Sequence, residues 1–335
     1  MKHANISLFV PHMGCPHQCS FCNQKTISGA VSELTPDDVT TTLEKAVADG
    51  INPESTEIAF FGGSFTAIER DYMVSLLEAT RPFVDAKQFS GIRISTRPDA
   101  IDEEVLRLLK RYGVTSIELG AQSTDPEVLV KNRRGHSRED IFNASRLIKK
   151  QGFSLGLQMM TGLLGDTYEK SLQTCEDIIS LKPDTVRIYP TITLAGTYLG
   201  ECYKAGEYEP QSLDEAVSLC GRLLKRFYDN SISVIRLGLH SGGNVEEGYL
   251  AGPYHPAFGE MCQSAVYYEN AVALLKTLDA HNKNVTLYVN PSEISKMTGQ
   301  KGANKEKLRS MGYNVVIKGD STLDKLRIKA EINER

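Results

Sequence analysis

The sequence predicts an α/β protein, a partial (β/α)6 barrel followed by a small C-terminal α+β extension. Short apolar runs alternate with longer amphipathic segments from the N-terminus to about Thr191, which is typical of parallel strands joined by crossover helices. The apolar runs do not alternate strictly in polarity, as expected for strands that are covered on both faces. Polar and glycine-rich residues follow each run, at the edge of the sheet where ligands of α/β proteins bind.

The individual elements follow in chain order. Six strands are predicted, at residues 6–10, 58–61, 92–96, 114–119, 153–160 and 185–189. Helices are predicted to begin at Thr35, which precedes a proline, at Asp102, and at Ser137 in the pattern Ser-Arg-Glu-Asp. Farther along, strands at 285–289 and 313–318 enclose helices at 291–297 and 304–311. We therefore expect residues 1–260 to form the barrel and residues 261–335 to form the extension.

Composition narrows the class of protein. The chain has 335 residues and a formal net charge of −4, which gives no overall attraction to nucleic acid. It has no apolar run of ~18 residues or more, so no membrane-spanning helix is predicted. The apolar run near its N-terminus is too short for a signal peptide. Its seven cysteines are odd in number and mostly scattered, which does not suggest a secreted disulfide framework. These features predict a cytoplasmic enzyme with no membrane association.

Three cysteines crowd the segment after the first strand. Cys15, Cys19 and Cys22 are separated by three residues and then by two. Structural zinc sites usually draw four ligands from two separated pairs, and disulfides between such close neighbours would be strained. An iron–sulfur cube that only carries electrons uses four thiolates, so three thiolates leave one iron open to a substrate or cofactor. The spacing favours such an open cluster, with a zinc or disulfide site as the alternative.

Motifs at the other strand ends, together with the cysteine loop, resemble the radical S-adenosylmethionine (SAM) superfamily. More narrowly, they resemble the radical SAM core of the catalytic third subunit of Elongator, and more distantly the oxygen-independent coproporphyrinogen oxidases. The similarity covers roughly residues 4–260. It consists of ordered motifs: Phe61-Gly-Gly-Ser-Phe65, Ser95-Thr-Arg-Pro-Asp99, Glu118-Leu-Gly-Ala-Gln-Ser123, Arg134-Gly-His136, and Ile188-Tyr-Pro-Thr191 with Gly206-Glu-Tyr208.

The resemblance implies a cofactor-based chemistry. Cys15, Cys19 and Cys22 would each bind one iron of a [4Fe-4S] cluster, and the fourth iron would chelate the amino and carboxylate groups of SAM. One electron, expected from a low-potential flavodoxin or ferredoxin, then cleaves the sulfonium C–S bond. The resulting 5′-deoxyadenosyl radical abstracts hydrogen from an unactivated C–H bond, so the cofactors carry the difficult step.

By the same resemblance, five residues at the strand ends are expected to bind SAM. The backbone at Gly62 and Gly63 would lie near the methionine amino group, although any strand-to-loop turn can use glycine for its own geometry. Gln122 would hydrogen-bond the ribose or methionine part of SAM. Ser95 and Glu118 sit deeper in their strands and would do the same or merely support the mouth of the barrel.

Two further residues have open roles. Arg134 is expected to pair with the SAM carboxylate, but it follows Arg133, and residues 131–134 could equally form a solvated basic turn. Cys262 could donate a hydrogen atom to a substrate radical. Cysteine is also a common buried residue, which is the alternative for this position.

The extension contains a Gly-x-x-Gly sequence between its two predicted helices. A strand–helix–Gly-x-x-Gly–helix–strand order is similar to a minimal KH module, which grips single-stranded RNA with that loop. Gly299, Lys301, Gly302 and Lys305 are the candidate RNA contacts, and further lysine and arginine residues surround them. The alternative is an ordinary helical hairpin with a glycine turn and a solvated charged face.

The leading hypothesis is a radical SAM enzyme that modifies a base in tRNA or rRNA. The main alternative is a radical SAM enzyme that acts on a small metabolite or a protein, with a purely structural extension. A non-enzymatic iron–sulfur module is a weaker third hypothesis, because it leaves the strand-end motifs without a purpose. The sequence ends at Arg335 without room for the acetyltransferase domain of the Elongator subunit, roughly 150 residues, so chemistry that uses acetyl-CoA is in doubt.

Overall fold

A computed structural model describes residues 4–10, 15, 18–23, 33–239 and 245–333. Its main feature is a seven-stranded sheet in the order β1-β2-β3-β4-β5-β6-β8. Every neighbouring pair of strands in this sheet is parallel. The strands are β1 (Ala4–Val10), β2 (Thr56–Gly62), β3 (Ile92–Thr96), β4 (Val114–Gln122), β5 (Ser154–Thr161), β6 (Thr185–Pro190) and β8 (Ser233–Leu237).

Eight α-helices lie between Pro36 and Asp229 within the described residues. They are α1 (Pro36–Ala48), α2 (Arg70–Asp85), α3 (Glu103–Arg111), α4 (Pro126–Lys131), α5 (Arg138–Lys150), α6 (Tyr168–Leu181), α7 (Tyr198–Lys204) and α8 (Leu213–Asp229). Alternate strand residues such as Ile58, Ile94 and Ile117 pack with these helices in one hydrophobic core. The residues between them face the inside of the curled sheet, which is where the polar side chains lie.

The predicted fold class is confirmed, and all six predicted strands are present. The predicted helix starts are also confirmed: Thr35 and Ser137 each form a capping box, and the Asp102 side chain accepts a hydrogen bond from the Val105 backbone. The sequence reasoning missed a seventh strand, β8. This strand has Arg236 in it and two exposed positions, so it lacks the buried apolar run that marks the others.

A small hairpin and a long helix follow the barrel strands. Strand β7 (Thr193–Leu194) pairs with β9 (Tyr249–Ala251) in antiparallel fashion, and a short helix α9 (Val245–Gly248) precedes β9. Helix α10 (Phe258–Thr277) then runs from the barrel into the C-terminal part. The predicted boundary between residues 260 and 261 therefore falls inside a helix.

The C-terminal extension is a three-stranded sheet in the order β11-β10-β12, packed on α10. Strand β10 (Asn284–Val289) is parallel to β11 (Asn314–Gly319) and antiparallel to β12 (Lys329–Ile332). Between β10 and β11 lie two short helices, α11 (Ile294–Thr298) and α12 (Ala303–Ser310). These confirm the predicted α+β extension. In the described part of the chain, no helix is long and apolar enough to cross a membrane.

Candidate active site

The second half of the cysteine loop is fastened to the barrel by hydrogen bonds around Ser20. The Ser20 backbone donates to the Asn132 carbonyl at 3.1 Å, and its hydroxyl donates to the Asn132 side-chain oxygen at 2.6 Å. The Leu199 backbone donates in turn to the Ser20 carbonyl at 2.7 Å. Because both Ser20 and Asn132 are fully buried, this anchor holds the loop between α4 and α7.

Arg134 lies against the loop at its middle cysteine. Its Nη1 donates to the Cys19 sulfur at 3.0 Å, and its Nη2 donates to the Gly120 carbonyl at the end of β4 at 2.6 Å. Cys19 is only 7% exposed. The thiolate is the form of cysteine that binds metal, and the guanidinium places a positive charge beside this sulfur. The Arg134 contact therefore joins the cysteine loop to the carboxyl ends of the strands.

Cys15 belongs to the same neighbourhood. Its thiol lies near the Cys19 thiol, the Arg97 and Arg134 guanidinium groups and the backbone of Ser64. Although the residue is exposed, partial burial of its sulfur raises the thiol pKa, Cys19 adds to the rise, and the two arginines oppose it. The backbone of Cys22 donates to the Cys19 carbonyl at 3.2 Å, which turns the third cysteine back toward the second.

The donor chemistry of this loop fits an iron–sulfur cluster. Three soft sulfur donors lie on one short segment, and two cations beside them would offset the negative charge of bound thiolates. As placed, no three Cys, His, Asp or Glu side chains within the described residues are close enough to hold one metal ion. No disulfide joins any of the seven cysteines, all of which lie in the described ranges, so the disulfide alternative has no support here.

The structure shows which of the two adjacent arginines faces inward. Arg134 is buried against Cys19, whereas the Arg133 guanidinium stacks over the Tyr198 ring at 3.6 Å from the ring centroid. Arg133 takes a positive φ of 53°, and this backbone turn separates the directions of the two side chains. The turn is therefore a buried connection at Arg134 rather than a fully solvated basic segment.

Arg97, at the end of β3, connects several parts of the mouth. Its Nε and Nη2 both bind the Asp99 carboxylate at 2.9 Å, and Nη2 also donates to the Arg134 carbonyl at 2.6 Å. The Arg97 backbone donates to the Ser64 hydroxyl at 3.0 Å, which ties β2 to β3. Sequence reasoning placed Arg97 in a motif without assigning it a role; a charged residue directly after a buried strand was the available signal.

Several buried polar atoms around this mouth find no hydrogen-bond partner among the described residues. They are Ser95 Oγ, Arg97 Nη1, Gln122 Oε1, Arg134 Nε and His136 Nδ1. An unpaired buried polar group costs roughly 1–3 kcal/mol, so a cluster of them indicates a polar ligand that is part of the working protein. SAM, with its amino, carboxylate and ribose groups, offers partners of the required kinds.

Gln122 is held toward this cluster by an unusual backbone. Its φ is +64°, a left-handed conformation that is uncommon outside glycine. A Cβ added at the neighbouring Gly120 would lie 3.0 Å from Gln122 Nε2 and 3.4 Å from Arg134 Nη2, so both side chains crowd the same small residue. Gln122 and Arg134, predicted separately, are therefore neighbours.

Both carboxylate oxygens of Glu118 already accept hydrogen bonds from other side chains of the protein. It is 1% exposed, and its Oε1 accepts hydrogen bonds from Arg93 at 3.0 Å and Arg187 at 2.9 Å. Its Oε2 accepts from the Gln158 side chain at 2.9 Å, and Arg93 continues the network to Glu57 at 2.7 Å. This geometry favours the supporting role over the direct SAM contact.

Gly62, the last residue of β2, lies where the local backbone leaves little room for a side chain, and Gly63 follows it. Gly62 takes a φ of +113°, and a Cβ there would lie 2.7 Å from the Val10 carbonyl oxygen. The Gly63 backbone donates to that same oxygen at 2.8 Å. The ends of β1 and β2 therefore approach too closely for a side chain, and contact of these glycines with SAM stays a prediction.

Cys262 does not lie at the mouth. It is fully buried in the hydrophobic core on α10, and burial raises its thiol pKa well above the usual value, with the nearby Cys220 adding to the rise. A thiol enclosed by core side chains has no path to a substrate. The structure thus argues against the hydrogen-donor role and favours the alternative of a buried core residue.

The Gly-x-x-Gly turn is tight and carries exposed positive charge. Gly299, Lys301 and Gly302 all take positive φ angles, of 79°, 51° and 82°. The Lys301 and Lys305 side chains are exposed, and neither is in an ion pair with a described carboxylate. Lys296, by contrast, pairs with the buried Glu293 at 2.7 Å. The free charge of this segment is therefore concentrated at and just after the turn.

A groove of about 460 Å³ lies beside this charge, along the outer strand β11. Lys305 and Arg309, one helical turn apart on α12, form part of its wall, and the side chain of Val316 on β11 is exposed. The remaining wall is mostly polar: Asn284, Glu306, Tyr313, Asn314, Val315 and Asn333. Such a basic groove at the edge of a sheet is compatible with a negatively charged strand.

Comparison with known proteins settles the family. Residues 9–178 match the model of the radical SAM superfamily, and residues 183–267 match the model described as the Radical_SAM C-terminal domain. The chain belongs to the radical SAM superfamily. This family binds a [4Fe-4S] cluster and SAM, in agreement with the predicted cofactors.

Individual relatives support the narrower resemblance. The chain is 31% identical to tRNA uridine(34) acetyltransferase of Methanocaldococcus infernus and 29% identical to human Elongator complex protein 3. The matched parts cover 53% and 54% of this chain but only 37% of either relative. An N-terminally truncated Elp3 of the archaeon M. infernus superposes with a TM-score of 0.59 at 21% identity, covering 81% of this chain and 68% of that one. This last similarity shows that the fold is shared.

Proposed function

We propose that this protein is a radical SAM enzyme that modifies a base of an RNA, with tRNA the favoured class. The observation that carries the radical SAM part of the proposal is the 3.0 Å contact between Arg134 Nη1 and the Cys19 sulfur. It joins the cysteine loop to an edge of the sheet where several unpartnered polar atoms lie. The alternative, an enzyme for a small metabolite or a protein, shares this site and differs only in its substrate.

In this proposal Cys15, Cys19 and Cys22 hold the cluster, and Arg134 and Arg97 supply positive charge beside the thiolates. A cluster and SAM held there would supply radical chemistry for abstraction of hydrogen from an unactivated C–H bond. Gln122 Oε1 and Ser95 Oγ are acceptors for polar hydrogens of SAM.

Arg134 retains a free donor nitrogen for SAM. Its Nε finds no partner among the described residues, while each terminal nitrogen already makes one hydrogen bond. We propose that this N–H meets the SAM carboxylate, as the Arg134 prediction requires, without breaking the contact to Cys19. Glu118 does not contact SAM in this proposal; its carboxylate holds the Arg93 and Arg187 side chains in place deeper in the barrel.

Two observations support an RNA substrate. Relatives that match this chain are named for tRNA uridine 34, and the C-terminal extension presents a glycine turn with free lysines beside a basic groove. We propose that Gly299, Lys301, Gly302 and Lys305 hold the phosphate backbone of the RNA while the target base enters the barrel. The proposed setting is the cytoplasm, with flavodoxin or ferredoxin as electron donor.

The test of the cofactor site compares two cysteine variants after anaerobic reconstitution. We expect Cys19→Ala to lose most bound iron and to form no 5′-deoxyadenosine from SAM. Cys175→Ala, which alters a buried cysteine in α6 outside the loop, is the matched control and should retain both. Wild-type iron content and 5′-deoxyadenosine formation in Cys19→Ala would refute the assignment.

The test of the substrate is nucleoside mass spectrometry of total RNA from a strain that lacks this protein. We expect one modified nucleoside to disappear and to return when the wild-type protein, but not Cys19→Ala, is expressed. An unchanged set of nucleosides, with SAM cleavage intact in vitro, would replace the RNA hypothesis with the metabolite or protein alternative.

A further inference from the structure

The inner face of the sheet carries a row of charged residues that crosses it from β2 to β8. Glu57 on β2 binds Arg93 on β3, which binds Glu118 on β4, which in turn binds Arg187 on β6. Each cation in this part of the row faces a carboxylate. Arg236 on β8 is the next member, because it is the register partner of Arg187. The alternation of charge therefore ends with two cations side by side.

An irregularity in β8 produces this pairing. Val186 pairs with Val234, but the next residue, Arg187, pairs with Arg236, so Ile235 is an extra residue between them. In a regular strand without this bulge, Arg236 would point to the same side as Val234, toward the helices. The bulge instead turns Arg236 to the inner face and leaves Ile235 exposed. Bulges commonly redirect a side chain next to a functional site.

The row has three arginines for two carboxylates, which leaves one positive charge in excess at Arg187 and Arg236. Arg187 shares the Glu118 carboxylate with Arg93, and its Nε has no hydrogen-bond partner in the described ranges. The Nε of Arg236 donates to the Gly238 carbonyl at 3.0 Å, and no described carboxylate pairs with its guanidinium. Burial is the main cause that lowers the Arg236 pKa; Tyr189 opposes it, and the facing Arg187 adds a smaller lowering effect. Repulsion of this kind is relieved by a bound anion.

An aromatic pair stands next to this excess charge. The Arg187 guanidinium lies 5.3 Å from the centroid of the Phe61 ring, so the curled sheet brings β6 close to β2. Phe61 is the register partner of Phe9, and their ring centroids are 6.5 Å apart. Phe9 is 42% exposed although its strand neighbours Leu8 and Val10 are in the core. An exposed ring on the inside of a barrel, beside two arginines, suits a ligand with a flat apolar part and an anionic part.

We propose that the inner face of β6 and β8 binds a phosphate group of the substrate through Arg187 and Arg236, beside an aromatic pair that receives the attached nucleobase. The proposal rests on the proposed function, in which the target is a nucleotide, and it names where that nucleotide lies. In the proposed function the one carboxylate of SAM is assigned to Arg134, so this excess charge is left for the anion of another ligand. The phosphate belongs either to an RNA strand or to a free nucleotide.

The test measures binding of two probes to the full-length, cluster-reconstituted protein by equilibrium dialysis. The probes are uridine 5′-monophosphate and a short RNA hairpin with a uridine in its loop, and uridine serves as the phosphate-free reference. We expect Arg236→Gln to weaken binding of at least one phosphate-bearing probe by about tenfold or more, because it removes a charge-assisted contact. Arg236→Lys retains the charge and should keep most of the affinity. The matched control is Arg222→Gln, a change on α8 whose guanidinium lies near the Tyr168 ring.

The pattern of losses identifies the source of the phosphate. Loss of hairpin binding supports an RNA phosphate, and loss of uridine 5′-monophosphate binding alone supports a free nucleotide. Equal affinity of wild type and Arg236→Gln for both probes overturns the proposal, as does failure of the wild type to bind either one. If wild type and Arg236→Gln bind both probes equally while the deletion strain lacks a modified nucleoside, this site is wrong and the proposed function stands. If the deletion strain shows no RNA change but Arg236→Gln loses the nucleotide, the phosphate site stands and the RNA hypothesis fails.

Discussion

The mouth of the barrel and the Gly-x-x-Gly turn are both rich in positive charge, but they hold it in opposite ways. At the mouth, Arg97 and Arg134 are buried. Their guanidinium groups donate hydrogen bonds to the Asp99 carboxylate, the Cys19 sulfur and the Gly120 carbonyl. At the turn, Lys301 and Lys305 are exposed. Buried charge must be matched in geometry, so it suits a small ligand that always takes the same position. Exposed charge suits a polymer whose phosphates are bound through counterion release.

The strongest test of this contrast is removal of the carboxylate beneath the mouth. We expect Glu118→Ala to lower the free energy of unfolding by about 3–5 kcal/mol, because Arg93 and Arg187 lose a shared buried partner. The measurement is urea denaturation. Glu104→Ala, which removes an exposed carboxylate 3.6 Å from Arg70, should change stability by less than about 1 kcal/mol. Similar effects of the two variants would contradict the contrast.

A second test uses pH. Burial, and then the charge of Arg134, lower the pKa of His136 to about 4 from 6.5, so the folded protein binds its proton more weakly than the unfolded chain. Stability should therefore be unaffected above about pH 6.5 and fall as the pH drops toward 4, by about 3 kcal/mol in total. Urea unfolding of the cluster-free protein at several pH values measures this slope. His136→Gln should flatten it, and an equally steep slope in that variant would assign the effect to other groups.

A third test separates the two adjacent arginines. Arg134→Leu removes the cation beside Cys19, and we expect the reduction potential of the reconstituted cluster to fall by on the order of tens of millivolts. Arg133→Leu, which changes the arginine stacked on Tyr198, should leave the potential unaltered. A redox titration followed by electron paramagnetic resonance compares them. Equal potentials in wild type and Arg134→Leu would remove Arg134 from the cluster environment.

The smallest expected effect lies at the turn. We expect the double variant Lys301→Glu with Lys305→Glu to weaken RNA binding by about tenfold and to reduce the dependence of log affinity on log salt by about 2. Fluorescence anisotropy with a labelled tRNA at several salt concentrations measures both quantities. Lys87→Glu, an exposed change after α2, is the control. An unchanged salt dependence in the double variant would make the turn a structural hairpin.

Much of the fold was predictable because local signals and burial agree. The predicted six strands are present, and the capping residues Thr35, Asp102 and Ser137 begin helices as expected. Strand β8 was missed because a bulge at Ile235 and the charged Arg236 interrupt its apolar pattern. The boundary placed at residue 260 falls inside α10, since a helix that packs on two layers has no local signal of where one unit ends.

For the candidate site as well, some features were predictable from the sequence and others depend on the tertiary structure. The residue types and their order along the chain determined the family, the cysteine ligand set to be tested and the edge of the sheet where they meet. Only the tertiary structure decided that Arg134 rather than Arg133 faces Cys19, that Glu118 is held by Arg93 and Arg187, and that Cys262 is enclosed in the core. The physical reason is that spacing along a strand or loop fixes which residues come near an edge. The direction of a side chain depends on φ angles, register and partners that come from distant parts of the chain.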